Sequence, residues 1–229
     1  MKKSFWVIGT DTGVGKTLVT TYFLLYFQKK GKATPYKPVQ TGIIEDDLKS
    51  YYGDTQFYQA LSEERLVEAH LNSYSFREPA SPHYAAMLEG ESIDEEVILQ
   101  HIEDLKSMYD FVICEGAGGL YVPLDAQRNY HLLQLIKESQ LPVVLVTRTE
   151  LGTINHTLLS IEALNNRAIP IAGIVFNGYG GAKLEIENMK AIHQFTRLPS
   201  LVMPKLEHLS DLKDLQIENT KFFERLLSI

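Results

Sequence analysis

Lys16 and Thr17 stand side by side behind the run Gly9-Thr10-Asp11-Thr12-Gly13-Val14-Gly15. Those residue types in that order suit phosphate. Successive backbone N–H groups of a glycine-rich turn, continued into a helix N-terminus, cradle phosphate oxygens. The lysine then reaches the outer phosphates, and the threonine hydroxyl serves Mg²⁺. A Walker A loop leaves four residues between its two glycines. Here the place of the first glycine holds Thr10, and Gly9 sits one residue earlier, so the loop is a variant form. A glycine-rich turn with a chance Lys-Thr is the plainer alternative. A strand before the loop and a helix after it favour the phosphate reading.

A second segment carries an acid. Phe111-Val112-Ile113-Cys114 is an apolar run that ends in Glu115. A carboxylate at a strand terminus resembles a Walker B site, where it ligates a metal or holds a metal-bound water. Gly116-Ala117-Gly118-Gly119 follows, and backbone there can approach a ligand closely. Alone, this segment reads equally well as a strand-to-turn transition; beside a phosphate loop, function is favoured. Asp54, in Tyr52-Gly53-Asp54-Thr55, reads as an ordinary helix N-cap. Lys37 follows a strand, so it reads either as a solvated surface charge or as a second cation pointing into the same crevice. Cys114 reads as a small core residue. His83, His101, His131 and His193 show no metal-ligand spacing. Tyr51, Tyr52 and Tyr58 read as packing, and Glu63-Glu64 and Glu95-Glu96 as solvated helix faces.

These groups need elements to position them. Phe5 to Gly9 predicts a buried strand, and Lys16 to Lys30 a helix ended by Gly31. Further strands are predicted at Thr34 to Val39, Tyr109 to Cys114, Pro142 to Thr147, Ile171 to Asn177 and Leu201 to Met203. Val97, Ile98, His101, Ile102, Leu105 and Met108 recur at helical spacing. Helices are also predicted at His131 to Ser139, Thr157 to Asn166, Leu184 to Phe195 and Phe222 to Leu227. Apolar strands separated by helices imply a mostly parallel sheet covered on both faces. The expectation is therefore an α/β, P-loop-type single domain over residues 1–229. Ligands on such sheets bind at the carboxyl ends of strands. The irregular stretch from Gln40 to Ser92 is expected as loops and short helices over that edge.

Composition narrows the function class. The 229 residues carry a formal net charge of −7, which disfavours nucleic acid as a partner. The single cysteine rules out a disulfide framework within one chain and suits a reducing cytoplasm. The apolar run after Lys2-Lys3 stops at Gly9, too short for a signal peptide. No apolar stretch approaches the length of a membrane span.

Several segments taken together resemble the dethiobiotin synthetase family. They are the phosphate loop, Tyr36-Lys37-Pro38-Val39, Glu78-Pro79-Ala80-Ser81-Pro82-His83, Glu115-Gly116-Ala117-Gly118-Gly119 with Pro123-Leu124, and Leu151-Gly152-Thr153-Ile154-Asn155-His156. They occur in family order over nearly the whole chain. The phosphate loop is shared with many relatives, whereas the Lys-Pro-Val, Glu-Pro-x-Ser-Pro and Leu-Gly-x-Ile-Asn-His segments are more specific.

The resemblance implies a Mg²⁺-dependent enzyme that joins 7,8-diaminononanoate and CO₂ at the expense of ATP. The implied products are dethiobiotin, ADP and phosphate. It implies that Gly13, Val14, Gly15, Lys16 and Thr17, with Glu115, Gly116, Ala117 and Gly118, surround the nucleotide. Lys16 and Lys37 would hold phosphate and the reacting carbamate, with Thr12 and Thr41 against the reacting groups. Thr17, Asp54 and Glu115 would surround Mg²⁺. Asn177 and Gly178, with Pro204, Lys205 and Leu206, would form the base pocket. Thr153, Ile154 and Asn155 would receive the substrate carboxylate across a homodimer interface. The sequence also departs from the family. Gly13 stands where an acid often sits, Thr41 replaces a more familiar serine, and the tail after Pro204 matches poorly, which leaves the base preference open.

Two other classes compete. A partitioning or septum-positioning ATPase switch shares this loop and sheet but usually carries an extra lysine early in the loop, absent here. An amidotransferase-type ligase would need an attached glutaminase domain, for which 229 residues leave no room.

Overall fold

The computed structural model describes residues 2–45, 50–217 and 219–229. The chain runs β1 (Lys3–Gly9), α1 (Lys16–Gln28), β2 (Ala33–Tyr36), β3 (Val39–Thr41), β4 (Ile43–Glu45), β5 (Ser50–Tyr52), α2 (Gly53–Leu61) and β6 (Tyr74–Phe76). It continues through α3 (Pro82–Leu88), α4 (Glu95–Met108), β7 (Phe111–Glu115), β8 (Pro123–Asp125), β9 (Tyr130–His131), α5 (Leu132–Ser139), β10 (Val143–Thr147) and α6 (Thr153–Asn165). It ends with β11 (Ile171–Tyr179), α7 (Lys183–Thr196), β12 (Ser200–Pro204) and α8 (Thr220–Ser228).

Six strands form one sheet in the order β12-β11-β10-β1-β7-β2, every pair parallel. Because side chains alternate along a strand, β1 feeds two cores. Trp6 and Ile8 face one side with α4 and α5, while Phe5 and Val7 face the other with α1 and α8. The buried Trp6 indole N–H still finds a partner, donating to Ser139 Oγ at 2.8 Å. Helix α8 lies close on β11: a Cβ at Gly173 would come within 2.5 Å of the Phe222 ring. The Asn219 side chain caps that helix by accepting from the Phe222 N–H at 3.1 Å. No helix among the described residues is long and apolar enough to cross a membrane.

Three expectations are corrected. The strand expected from Thr34 to Val39 is broken. It leaves the main sheet after Tyr36, and Val39–Thr41 pairs with Tyr74–Phe76 in a separate parallel ladder. Pro38 lacks an N–H for the main ladder, and the Lys37 N–H turns to the Leu71 carbonyl at 2.7 Å. The break sets Lys37 at the carboxyl edge of the sheet. The stretch from Gln40 to Ser92 is more regular than expected, because β3, β4, β5, β6, α2 and α3 all lie within or at the edge of it. Helix α6 begins at Thr153 rather than Thr157, after Gly152 at φ 94°, a left-handed value that glycine accepts without strain.

Candidate functional site

The phosphate loop bridges the end of β1 and the start of α1, with Gly13 at φ 70° and Gly15 at φ 94°. Gly15 is also required by close approach: a Cβ there would lie 2.0 Å from Asn177 Nδ2. The loop opens onto a cleft of about 360 Å³. Val39 apart, its lining consists of residues named above: Thr12, Gly13, Gly15, Lys16, Thr17, Lys37, Thr41, Asp54, Glu115, Ala117 and Gly118. They come from the ends of β1, β2 and β7 and from the segment that lies over them.

Charge is dense there. Lys37 is buried and forms ion pairs with Asp54 and with Glu115, the latter at 3.0 Å. Burial opposes the ammonium charge, but the two carboxylates outweigh it and hold the Lys37 pKa above its usual value. The same pairing outweighs burial at Asp54 and holds its carboxyl below the usual range. Thr17 Oγ1 lies 2.6 Å from Asp54 Oδ1 and 2.9 Å from Glu115 Oε1. Lys16 donates to the Asp11 carbonyl at 3.0 Å. Burial brings its pKa down to about 8, only partly countered by Glu115, and nearby Lys37 lowers it further.

These residues fit a Mg²⁺ ion. Mg²⁺ is usually held by one or two carboxylates completed by phosphate oxygens and water. Three hard oxygens converge here, and a cation, the Lys37 ammonium, already lies against both carboxylates. Among the described residues no group of three or more His, Cys, Asp or Glu is arranged to hold a metal by itself.

Other named residues lie outside the cleft. The Val14 side chain is buried, and Gly116 backs onto Leu132. Asn177 donates from Nδ2 to the Val14 carbonyl at 3.0 Å. Gly178 has φ 81°, and the Lys205 N–H donates to the Tyr179 carbonyl at 3.0 Å, which joins Pro204, Lys205 and Leu206 to the end of β11. Thr153 is turned inward, with its hydroxyl 2.8 Å from Thr147 Oγ1 and 2.6 Å from the Arg148 carbonyl. Ile154 packs against the core. Asn155 lies in the first turn of α6.

Asp54 is not an N-cap. Tyr52 occupies that position, and the Asp54 side chain is taken by Thr17 and Lys37. Tyr58 is missed as a site residue by sequence reasoning. Its hydroxyl donates to Glu115 Oε2 at 2.5 Å, and burial followed by the Glu115 charge holds its phenol well above the usual pKa. The available signal was its spacing from Asp54, which puts both on one helix face. Asn72 and Arg148 carried no sequence signal. Asn72 Nδ2 donates to the Lys37 carbonyl at 2.9 Å, and Arg148 Nη2 to the Thr12 carbonyl at 3.2 Å.

A parallel sheet, a glycine-rich loop between its first strand and a buried helix, and an acid ending the neighbouring strand define a P-loop nucleotide-binding protein. The AAA_26 family, described as an AAA domain, matches residues 3–215. The ATP-dependent dethiobiotin synthetase BioD of Lysinibacillus sphaericus (strain C3-41) is 54% identical over 223 residues, covering 97% of this chain and 95% of that protein. The protein of the same name from Halalkalibacterium halodurans is 41% identical, covering 87% of this chain and 83% of its own length. The chain belongs to the dethiobiotin synthetase family. A solved structure of the septum site-determining protein MinD, complexed with Mg-ADP, from Pyrococcus horikoshii OT3 is similar at TM-score 0.57. At 18% identity, over 90% of this chain and 82% of that one, it shares the fold alone.

Proposed function

We propose that this chain converts 7,8-diaminononanoate, CO₂ and ATP to dethiobiotin, ADP and phosphate. One observation supports this reading above the others: Lys16 and Lys37 share a single cleft with Thr17, Asp54 and Glu115, beside the phosphate loop. One substrate amine attacks the carbon of CO₂ and loses a proton, giving a carbamate. A carbamate oxygen then attacks the γ-phosphorus, and ADP leaves. The second amine attacks the carbonyl carbon of the mixed anhydride and loses its proton; phosphate departs, and the cyclic urea closes.

Phosphoryl transfer asks for positioning and charge neutralisation rather than a covalent nucleophile. The loop N–H groups and the Lys16 ammonium hold the phosphates. Lys37 neutralises charge on the transferring group and the carbamate, and Thr12 and Thr41 orient the reacting groups. Thr17, Asp54 and Glu115 would hold Mg²⁺, which would supply positive charge to offset that of the phosphates. Ring closure is favoured because both amines belong to one oriented molecule.

Asn177 with Pro204, Lys205 and Leu206 is the proposed base site. The proposed assembly is a homodimer that brings Thr153, Ile154 and Asn155 of one subunit to the substrate carboxylate of the other. Leu151 is 85% exposed, Tyr121 59% and Leu159 57%, and the latter two flank an opening of about 640 Å³. Such exposed apolar groups favour an interface. The buried, single Cys114 suits a cytoplasmic setting.

The test is direct. The protein is incubated with the diamine, bicarbonate, Mg²⁺ and ATP, and dethiobiotin is sought by mass together with ADP. Absence of product from folded, ATP-binding protein overturns the proposal.

A further inference from the structure

The two oxygens of Glu115 have different surroundings. Oε1 faces the cleft, 2.9 Å from Thr17 Oγ1 and 3.0 Å from Lys37 Nζ. Oε2 points into the protein and accepts from Tyr58 Oη at 2.5 Å. Glu115 is 1% exposed and Tyr58 0%, so water does not compete for that contact. A carboxylate offers two oxygens to any partner, and a single bond from below removes one of them and fixes the plane of the group. Tyr58 also shares α2 with Asp54, one helical turn away and on the same face. Asp54 meets Thr17 and Lys37 from one end of that face, while Tyr58 meets Glu115 from the other.

We propose that Tyr58 is a positioning residue of the metal site. Its hydroxyl withdraws Oε2 of Glu115, turns Oε1 toward the cleft, and ties the helix that carries Asp54 to the strand that carries Glu115. This rests on the reading that Asp54 and Glu115 hold Mg²⁺. Loss of a residue that orients a metal-ligating group typically costs about 10–100-fold in metal affinity or activity. A buried tyrosine that served only to fill space would contribute through its ring, which phenylalanine retains.

The experiment titrates Mn²⁺ into the protein–ADP complex and follows free Mn²⁺ by electron paramagnetic resonance. ADP affinity in EDTA is measured alongside, and thermal melting establishes that each variant is folded. Tyr58→Phe is expected to weaken Mn²⁺ about tenfold, within the range for outer partners of metal ligands, with metal-free ADP affinity unchanged. Tyr58→Leu, which removes ring and hydroxyl together, is expected to show the same weakening despite a larger drop in Tm. Glu115→Gln separates the two ideas. If Glu115→Gln weakens Mn²⁺ and Tyr58→Phe does not, the positioning role is overturned and the metal reading stands. If neither variant weakens Mn²⁺, both are overturned. Weakening by Tyr58→Leu but not Tyr58→Phe would assign the effect to ring packing and also overturn the role.

Discussion

Thr17 and Asp54 lie 37 positions apart in the chain, yet Thr17 Oγ1 donates to Asp54 Oδ1 at 2.6 Å. The same hydroxyl lies 2.9 Å from Glu115 Oε1. A threonine hydroxyl carries one proton, so it serves one carboxylate at a time and leaves lone pairs toward the cleft. Removing either acid should therefore disturb a shared oxygen cluster. Asp54→Ala and Glu115→Ala are expected to raise the Mg²⁺ concentration needed for half-maximal turnover and to slow turnover by about 10²-fold or more. Titrating Mg²⁺ against initial rate checks this. Wild-type Mg²⁺ dependence in both variants would refute the metal assignment.

Lys16 sets function against stability. Its folded pKa of about 8 lies below the ordinary 10.5, with burial the largest cause. Below pH 8 the lysine is protonated in both states, and the folded state bears the cost of the buried charge. That cost is relieved as pH rises from about 8 toward 10.5. It corresponds to about 3 kcal/mol at most, at 1.36 kcal/mol per pKa unit. Lys16→Met is expected to raise unfolding free energy at pH 7 by about 1–2 kcal/mol while abolishing ATP binding. The stability gap between the two proteins should close above pH 8. Denaturant melts across pH 6–10, with ATP titrations alongside, decide it.

Lys37 and Asp54 make the opposite pH prediction. Asp54 has a lowered folded pKa. Its pairing therefore stabilises the fold above the ordinary carboxylate range, and that stability is lost as pH falls through the lowered folded value. Lys37 has a raised folded pKa. Its contribution is present at neutral pH and lost only as pH rises through that raised value. Asp54→Asn should therefore melt lower than wild type at pH 7, with the gap narrowing in acid. Lys37→Ala should leave two facing carboxylates without their common cation, costing about 3–5 kcal/mol of stability as a broken buried pair does. In assays where it is folded, kcat should fall more than ATP affinity does. A Lys37→Ala protein with full kcat would confine Lys37 to holding the two carboxylates and refute its part in the reaction.

The parts of this site legible in sequence were those whose local pattern implies their chemistry. Gly15-Lys16-Thr17 between a strand and a helix, and Glu115 ending an apolar run, needed no tertiary information. Lys37 and Asp54 did. Nothing local distinguishes a lysine after a strand from a solvated one, and their roles came from family resemblance. Pro38 held a usable clue, because a proline that stops the ladder also throws the preceding lysine over the sheet edge. Tyr58 reads as packing, which its burial bears out, while its hydroxyl bond to Glu115 depends on how α2 docks against α1. The order of the central strands likewise depends on long-range pairing, whereas their apolar runs showed directly that the sheet is buried on both faces.

Assembly is open to a separate test. Leu151 and Leu159 are exposed at and beyond the N-terminal turn of α6, on the side that carries Asn155. Charges placed there should oppose association of two copies. Leu151→Glu with Leu159→Glu is expected to shift the protein to monomers in sedimentation, to leave ATP binding intact, and to raise KM for the diamine at least about tenfold. A monomer with wild-type KM would refute the shared site.

Asn177 braces the phosphate loop and is also proposed to read the base, and the two duties can be separated. Its Nδ2 donates to the Val14 carbonyl at 3.0 Å, and the absence of a side chain at Gly15 makes room for it. One amide proton is thus committed to the phosphate loop. Among the described residues the other proton and Oδ1 have no hydrogen-bond partner and can meet a base: adenine offers the matching pair, with N7 to accept and the N6 amino group to donate. Guanine offers two acceptors on that edge. A free carboxamide could rotate to rescue one contact, but rotation here would point Oδ1 at the Val14 carbonyl and lose the loop bond. The pinned amide should therefore favour ATP over GTP by about tenfold, equivalent to about 1.4 kcal/mol. Asn177→Ala should erase that preference and also weaken every nucleotide, because the loop loses its brace. Asn177→Asp should be worse for all nucleotides, since a carboxylate would face the Val14 carbonyl without a proton to give. Measuring kcat/KM for ATP, GTP and CTP in the three proteins separates the duties. Equal use of the bases by wild type removes the base-reading role. An ATP preference that survives in Asn177→Ala assigns it elsewhere, and unchanged affinity for all nucleotides in Asn177→Ala removes the bracing role.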